Sequence, residues 1–292
     1  MKNIEQRIQG VRNDREHGSR WLVREAILIL RDLARDSRDG KIEHIRQKAR
    51  ELARARPAMA ALAHAVGQVM NVQGGPEAIE QAAEELLQRY TEAPARIAEQ
   101  ARPYLQGQLM TCSLSGTVLD ILTANRQALE RVIVLEGRPL YEGRKMAQSL
   151  SQQGLAVTLI TDAQADIFMA QCQSVVVGAD SILANGDVLN KAGTALLAWS
   201  AQGHKVPFYV LCETLKISPQ AWSGNLSWLE EKEGSEVWPQ APEGLEVRNF
   251  YFDRTPTALV SKLITEQGEL SRAELSKIVA RAREDAQKLT SG

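Results

Sequence analysis

The chain has 292 residues, 44% of them hydrophobic and 24% charged, which excludes a disordered polymer. Basic and acidic side chains number 35 and 36, so the basic excess of a nucleic-acid binder is missing and no nucleic-acid partner is expected. No run of about 18 apolar residues is present to cross a bilayer, so no membrane partner is expected either.

The polar start MKNIEQRIQG does not read as a secretory signal, and a cytoplasmic location is expected. Three cysteines (Cys112, Cys172, Cys212) at wide spacing form no disulfide framework. With four scattered histidines and no CxxC pair, no metal site is expected.

Residues 1–106 read as helix throughout. Trp21, Leu22, Ala26, Ile27, Ile29, Leu30, Leu33 and Ala34 recur at helical spacing. Further helical runs cover about 41–55, 58–70 and 76–104. Gly40 and the Gly74-Gly75-Pro76 turn separate segments, and Pro57 suits the first turn of a helix. Short loops between helices predict a small all-helical N-terminal domain.

From residue 107 to 292 the pattern changes. Short apolar runs at 109–111, 132–135, 157–160, 175–177 and 208–211 read as buried strands. Helical segments at about 115–129, 140–153, 163–171 and 191–202 lie between them. This alternation predicts an α/β domain with a mostly parallel sheet covered on both faces. A sixth strand is expected near 247–251, then helix from Thr257 and again from Ser271. Residues 219–246, with Trp222, Trp228 and Trp238, show no period and read as a long excursion. It either covers a crevice or subunit interface, or is a loop pinned by its aromatics.

In an open parallel sheet, ligands bind beyond the carboxyl ends of the strands. Cys112-Ser113-Leu114-Ser115-Gly116-Thr117 follows the first strand and opens a helix. Its amides suit an anion, although Ser113 or Ser115 would equally serve as an ordinary cap. Arg138 follows the second strand, placed to grip a phosphate or to pair with Glu136 or Glu142. Asp180 emerges from Val175-Val176-Val177-Gly178-Ala179. Burial there would raise its pKa and suit it to carry a proton, and a turn cap is the competing reading. Asn190-Lys191-Ala192-Gly193-Thr194 offers a second cation, glycine and hydroxyl, and Lys216 lies close behind the fifth strand. No Gly-x-Gly-x-x-Gly and no Walker loop occurs, so no nucleotide cofactor is expected.

The run VVVGADSILANGDVLNKAGTALLA resembles a signature of one superfamily. It contains methylthioribose-1-phosphate isomerase, ribose-1,5-bisphosphate isomerase and the alpha, beta and delta subunits of eukaryotic initiation factor two-B. LEGRPLYEGRKMAQSLSQQGLAVTLITDAQ, VPFYVLCETLKISP and NFYFDRTPTALVSKLITEQG support it, in family order through residues 109–270. The resemblance implies a Rossmann-like domain behind a helical one, assembled as a homodimer or more.

For the isomerases it implies a sugar-phosphate substrate turned from aldose 1-phosphate to ketose 1-phosphate by a cysteine and an aspartate. The aspartate carries over onto Asp180, the arginine of the family's G-R-P motif onto Arg138, and its N-K pair onto Asn190 and Lys191. The cysteine position falls on Ser113, with Cys112 one step earlier. Along an extended segment one step turns a side chain to the opposite face. So Cys112 is re-aimed by a local irregularity, or Ser113 serves, or the chemistry is lost. Where the isomerases have an Arg-Gly loop on phosphate, this chain has His17-Gly18-Ser19 flanked by Arg15 and Arg20. Ser115, Gly116 and Thr117 are expected to hold phosphate with Arg20, Arg138 and Lys191. A non-catalytic regulatory protein sensing a sugar phosphate or nucleotide is the alternative.

Overall fold

The computed structural model of the chain describes residues 3–14, 18–37, 42–56 and 59–291. Arg15, His17, Gly40 and Pro57 lie outside them.

Among the described residues the chain opens with α1 (Ile4–Asn13), α2 (Ser19–Asp36), α3 (Ile42–Ala53), α4 (Ala60–Met70) and α5 (Pro76–Ala101). α2 shows why they pack. Its buried positions Leu22, Val23, Ala26, Ile27, Ile29, Leu30, Leu33 and Ala34 form one face against α4 and α5. Each fully buried Leu or Ile contributes about 1.5–3 kcal/mol of apolar burial, set against the entropy of ordering the chain.

Strand–helix alternation follows: β1 (Gly107–Cys112), α6 (Gly116–Ala124), β2 (Leu129–Leu135), α7 (Glu142–Gln152), β3 (Val157–Ile160), α8 (Ala165–Met169) and β4 (Ser174–Val177). After them come β5 (Ser181–Ile182), β6 (Val188–Lys191), α9 (Thr194–Gly203) and β7 (Phe208–Leu211). The chain closes with β8 (Phe252–Thr255), β9 (Lys262–Thr265), β10 (Gly268–Glu269) and α10 (Arg272–Ser291).

The main sheet has the order β10-β9-β7-β4-β1-β2-β3, parallel except for β10. Leu109, Val132, Val134, Val176 and Leu211 face one buried layer, and Met110, Ile133, Val175, Val177 and Val210 the other. Apolar residues on both faces are what a doubly covered parallel sheet requires. The strand order reverses between β1 and β4, which is where such a sheet opens a crevice.

Three expectations are corrected. The strand expected near 247–251 lies at Phe252–Thr255, and it pairs antiparallel with β6 in a small sheet β5-β6-β8. The helix expected from Thr257 is one short turn, Thr257–Leu259, followed by β9 alongside β7. The helix expected over 191–202 begins at Thr194, because Val188–Lys191 is the middle strand of the small sheet. Helix α10 leaves the sheet and packs on α4, where Asn71 Nδ2 donates to Asp285 at 2.8 Å.

Candidate active site

Beyond the carboxyl ends of β1 and β4 lies a cavity of about 750 Å³, walled on its far side by α1, α2 and, after α3, Arg56 and Met59. Cys112, Ser113, Ser115, Gly116, Thr117, Asp180, Asn190, Lys191 and Arg20 all line it. Side chains from stretches some 170 residues apart in the chain thus meet in one space.

Ser113 has φ +63°, the left-handed region. The segment after β1 is therefore not extended, and the alternation of faces breaks at this residue. Cys112 ends β1 buried at the cavity wall, its Sγ 3.6 Å from Thr194 Oγ1. Burial pushes its thiol up to about 12, against the hydrogen bond to Thr194. The thiol is neutral at physiological pH.

Ser115 caps α6, its Oγ accepting from Val118 N at 3.3 Å. The amides of Gly116 and Thr117 belong to the first turn and have no partner within the helix. The Thr117 hydroxyl turns away and donates to Glu213 Oε1 at 2.6 Å. At Gly178 an added Cβ would lie 2.8 Å from Ser115 Oγ, so the close approach of β4 to the α6 cap requires glycine.

Asp180 follows β4 at the cavity floor, its amide donating to Leu189 O at 2.9 Å. Burial pushes its carboxyl above the ordinary value, Glu230 adds to this, and Lys216, Lys191 and Arg56 oppose it. Its carboxylate makes no hydrogen bond or ion pair within the described residues.

Two buried ammonium groups face it. Lys191, 6% exposed, pairs with Glu142 at 2.7 Å and sits 4.4 Å from the Tyr251 ring centre. Lys216, 5% exposed, donates to Ser19 Oγ at 2.9 Å and to the carbonyl of Ala179. It staples α2 to the residue before Asp180. Asn190 Nδ2 donates to Thr194 Oγ1 at 3.0 Å, beneath the same floor.

Six basic side chains and three carboxylates line the cavity among the described residues, a balance that favours an anionic ligand. Lys232, Arg12, Arg56, Glu142 and Tyr251 were not singled out from the sequence as site residues. Lys216 carried a signal, its place just after the fifth strand. Arg12 sits on α1 and Arg56 on the connection after α3, and neither stretch carries a local signal of the sheet it faces.

Arg138 does not join this set. Its guanidinium donates to Tyr141 OH at 2.7 Å and to Val237 O at 2.9 Å, tying the excursion after β7 to the β2 end. Arg20 lines the cavity but is already paired with Asp120. Trp222 and Trp228 stack edge to face at 6.1 Å, with Arg254 over Trp222. From the excursion, Lys232 reaches the cavity and Trp238 stays exposed.

Comparison with known proteins meets this geometry. The initiation factor 2 subunit family matches residues 15–272. The chain is 32% identical over 284 residues to a ribose 1,5-bisphosphate isomerase of Archaeoglobus fulgidus, covering 92% of this chain and 90% of that protein. It is 44% identical over 163 residues to a methylthioribose-1-phosphate isomerase of Pelotomaculum thermopropionicum, 52% of this chain and 45% of that one. Among solved structures, a translation initiation factor eIF-2B of Pyrococcus horikoshii superposes with a TM-score of 0.81 at 29% identity, covering 92% and 97%.

Proposed function

Because the chain belongs to the initiation factor 2 subunit family, we propose that it is an aldose–ketose isomerase acting on a ribose 1-phosphate derivative. The observation that carries the reading is Asp180, a desolvated carboxyl without a partner within the described residues. It shares a cationic cavity with the N-terminus of α6, whose Gly116 and Thr117 amides have no partner within the helix.

The anomeric phosphate locks the sugar ring, so an acid must assist its opening. Protonated Asp180 gives its proton to the ring oxygen as the bond from C1 to that oxygen breaks. Hydrogen then moves with its electron pair from C2 to C1. The C2 hydroxyl releases its proton to the Asp180 carboxylate, which restores the acid. Oxidation at C2 and reduction at C1 balance within one molecule. A raised carboxyl pKa serves both halves, because the group must carry the proton near neutrality and then take one back. The amides of Gly116 and Thr117 hold phosphate, with Lys191 and Lys216 supplying charge. This route asks no ionised thiol of Cys112, which suits a group held near 12.

The same thiol favours the second reading, a non-catalytic binder of a sugar phosphate. A cysteine that stays protonated on Thr194 is a poor acid and a poor base.

A phosphorus NMR time course separates the two. With ribose 1,5-bisphosphate or methylthioribose 1-phosphate, the expected result is a new ketose 1-phosphate signal. In Asp180→Asn turnover should fall by about 10²–10⁴-fold with the circular dichroism unchanged. Full turnover in that variant overturns the acid assignment, and broadened substrate lines without product favour the binder. Exposed Ile167, Leu196 and Trp199 on the neighbouring α8 and α9 support self-association, which light scattering would measure.

A further inference from the structure

A second concavity of about 670 Å³ opens on the other side of the turn that follows β7. It is a groove between α5 and α10, and its floor is made by Glu213 and Thr214 after β7 and Glu266 after β9. Like the first cavity, it therefore lies beyond the carboxyl ends of parallel strands.

Two atoms at this floor have no hydrogen-bond partner among the described residues: the Tyr90 hydroxyl and Glu213 Oε2. Both side chains line the groove and are nearly buried, Tyr90 at 4% exposure and Glu213 at 1%. The other Glu213 oxygen accepts from Thr117. Glu266 accepts from Thr214 N at 3.0 Å and from the Thr214 hydroxyl. Burial, then Glu213 and later Glu266, push the Tyr90 phenol up, so both carboxylates lie beside a neutral hydroxyl. Leaving a buried carboxylate oxygen without a donor is costly, and the cost is removed by whatever donates to it.

A primary ammonium supplies three donors on one atom, which matches Glu213 Oε2, Glu266 and the lone pair of Tyr90. A neutral hydroxyl would satisfy the geometry and leave the charge. The described residues include no group of three or more His, Cys, Asp or Glu able to hold a metal ion. At the rim, Arg89, Arg281 and Lys288 form no ion pair among the described residues, and Glu85 and Glu284 stand beside them. A short zwitterion meets both signs, whereas a diamine or a dianion is repelled by one.

We infer that this groove binds a small amino-acid-like zwitterion, its ammonium on Glu213, Glu266 and Tyr90 and its carboxylate at the arginine and lysine rim. The inference does not rest on the isomerase reading. Glu213 also holds Thr117 at the first cavity, so a ligand in the groove loads a residue that both sites share.

The probe is 4-aminobutyrate, chosen because it carries no phosphate for the first cavity. Calorimetric titration of the full chain should show binding, with butylamine and butyrate each weaker by about tenfold or more. Tyr90→Phe deletes only an unpartnered hydroxyl and should fold, yet weaken the probe by about tenfold. Glu213→Gln should remove binding. No heat at millimolar probe would mean a solvent-filled groove and overturn the inference, as would equal affinity in wild type and Tyr90→Phe. Butylamine binding as well as the zwitterion would overturn the role of the rim.

Discussion

Asp253 offers a test in which the sign reverses what a buried carboxylate is usually assumed to do. It caps α9, accepting from Gly193 N at 2.7 Å and Ala195 N at 3.0 Å through Oδ2, while Oδ1 is buried without a partner among the described residues. Burial outweighs the two amides and raises its carboxyl from 3.8 to about 6. That difference corresponds to about 3 kcal/mol of penalty on the charged form. The attraction of the two helix-terminal amides is already included in that net figure. The folded pKa lies above the unfolded one. The penalty is therefore complete above about pH 6 and absent below the ordinary carboxyl range.

Asp253→Asn keeps both caps and removes the charge. Its melting temperature should exceed wild type by about 2–6 °C at pH 8. The gain should shrink through pH 6 and vanish near pH 4. Thermal melts of both proteins across that range decide it. A gain that does not change with pH, or a variant less stable than wild type at pH 8, refutes the reasoning.

His64 has the opposite sign. It is buried between Leu215 O and Gln68, and burial pushes its pKa down, so stability should fall as pH drops below about 6.5. His64→Gln should flatten that slope in melts between pH 7 and 5. Arg138→Ala should change sugar-phosphate affinity by less than about threefold, because the guanidinium serves Val237 rather than the cavity. The same variant should speed proteolysis within residues 219–246, and a tenfold or greater loss of affinity in calorimetry would return Arg138 to the ligand. In Gly143→Ala a Cβ would lie 1.7 Å from Leu135 O, which is backbone. Helix α7 would have to leave β2 and carry Glu142 off Lys191. We expect little soluble protein, and a melting temperature near wild type would contradict the close packing.

The main strands were readable because both their faces are apolar, and a run such as Val175-Val176-Val177 has one comfortable home. Asp180 was readable because a carboxyl directly after such a run emerges at the ligand-binding edge. The small sheet was not, because Asn190-Lys191-Ala192-Gly193-Thr194 reads as a helix start, and β6 is held between the two-residue β5 and β8, the latter some 60 residues on. The stretch after Pro256 has helix-forming residues, and its extended form is decided by the open edge of β7. Arg138 followed a strand as Asp180 does, but Tyr141 and Val237 compete for it, and neither contact leaves a trace in local spacing.

The backbone turn at Ser113 bears on how relatives of this chain are sorted. A survey that asks only whether one alignment column holds cysteine would record this chain as having lost its thiol. The cavity wall nevertheless carries one, delivered from the preceding residue, with a left-handed serine beside it at the same wall. For members with a displaced cysteine, the useful question is which side chain reaches the space above Asp180.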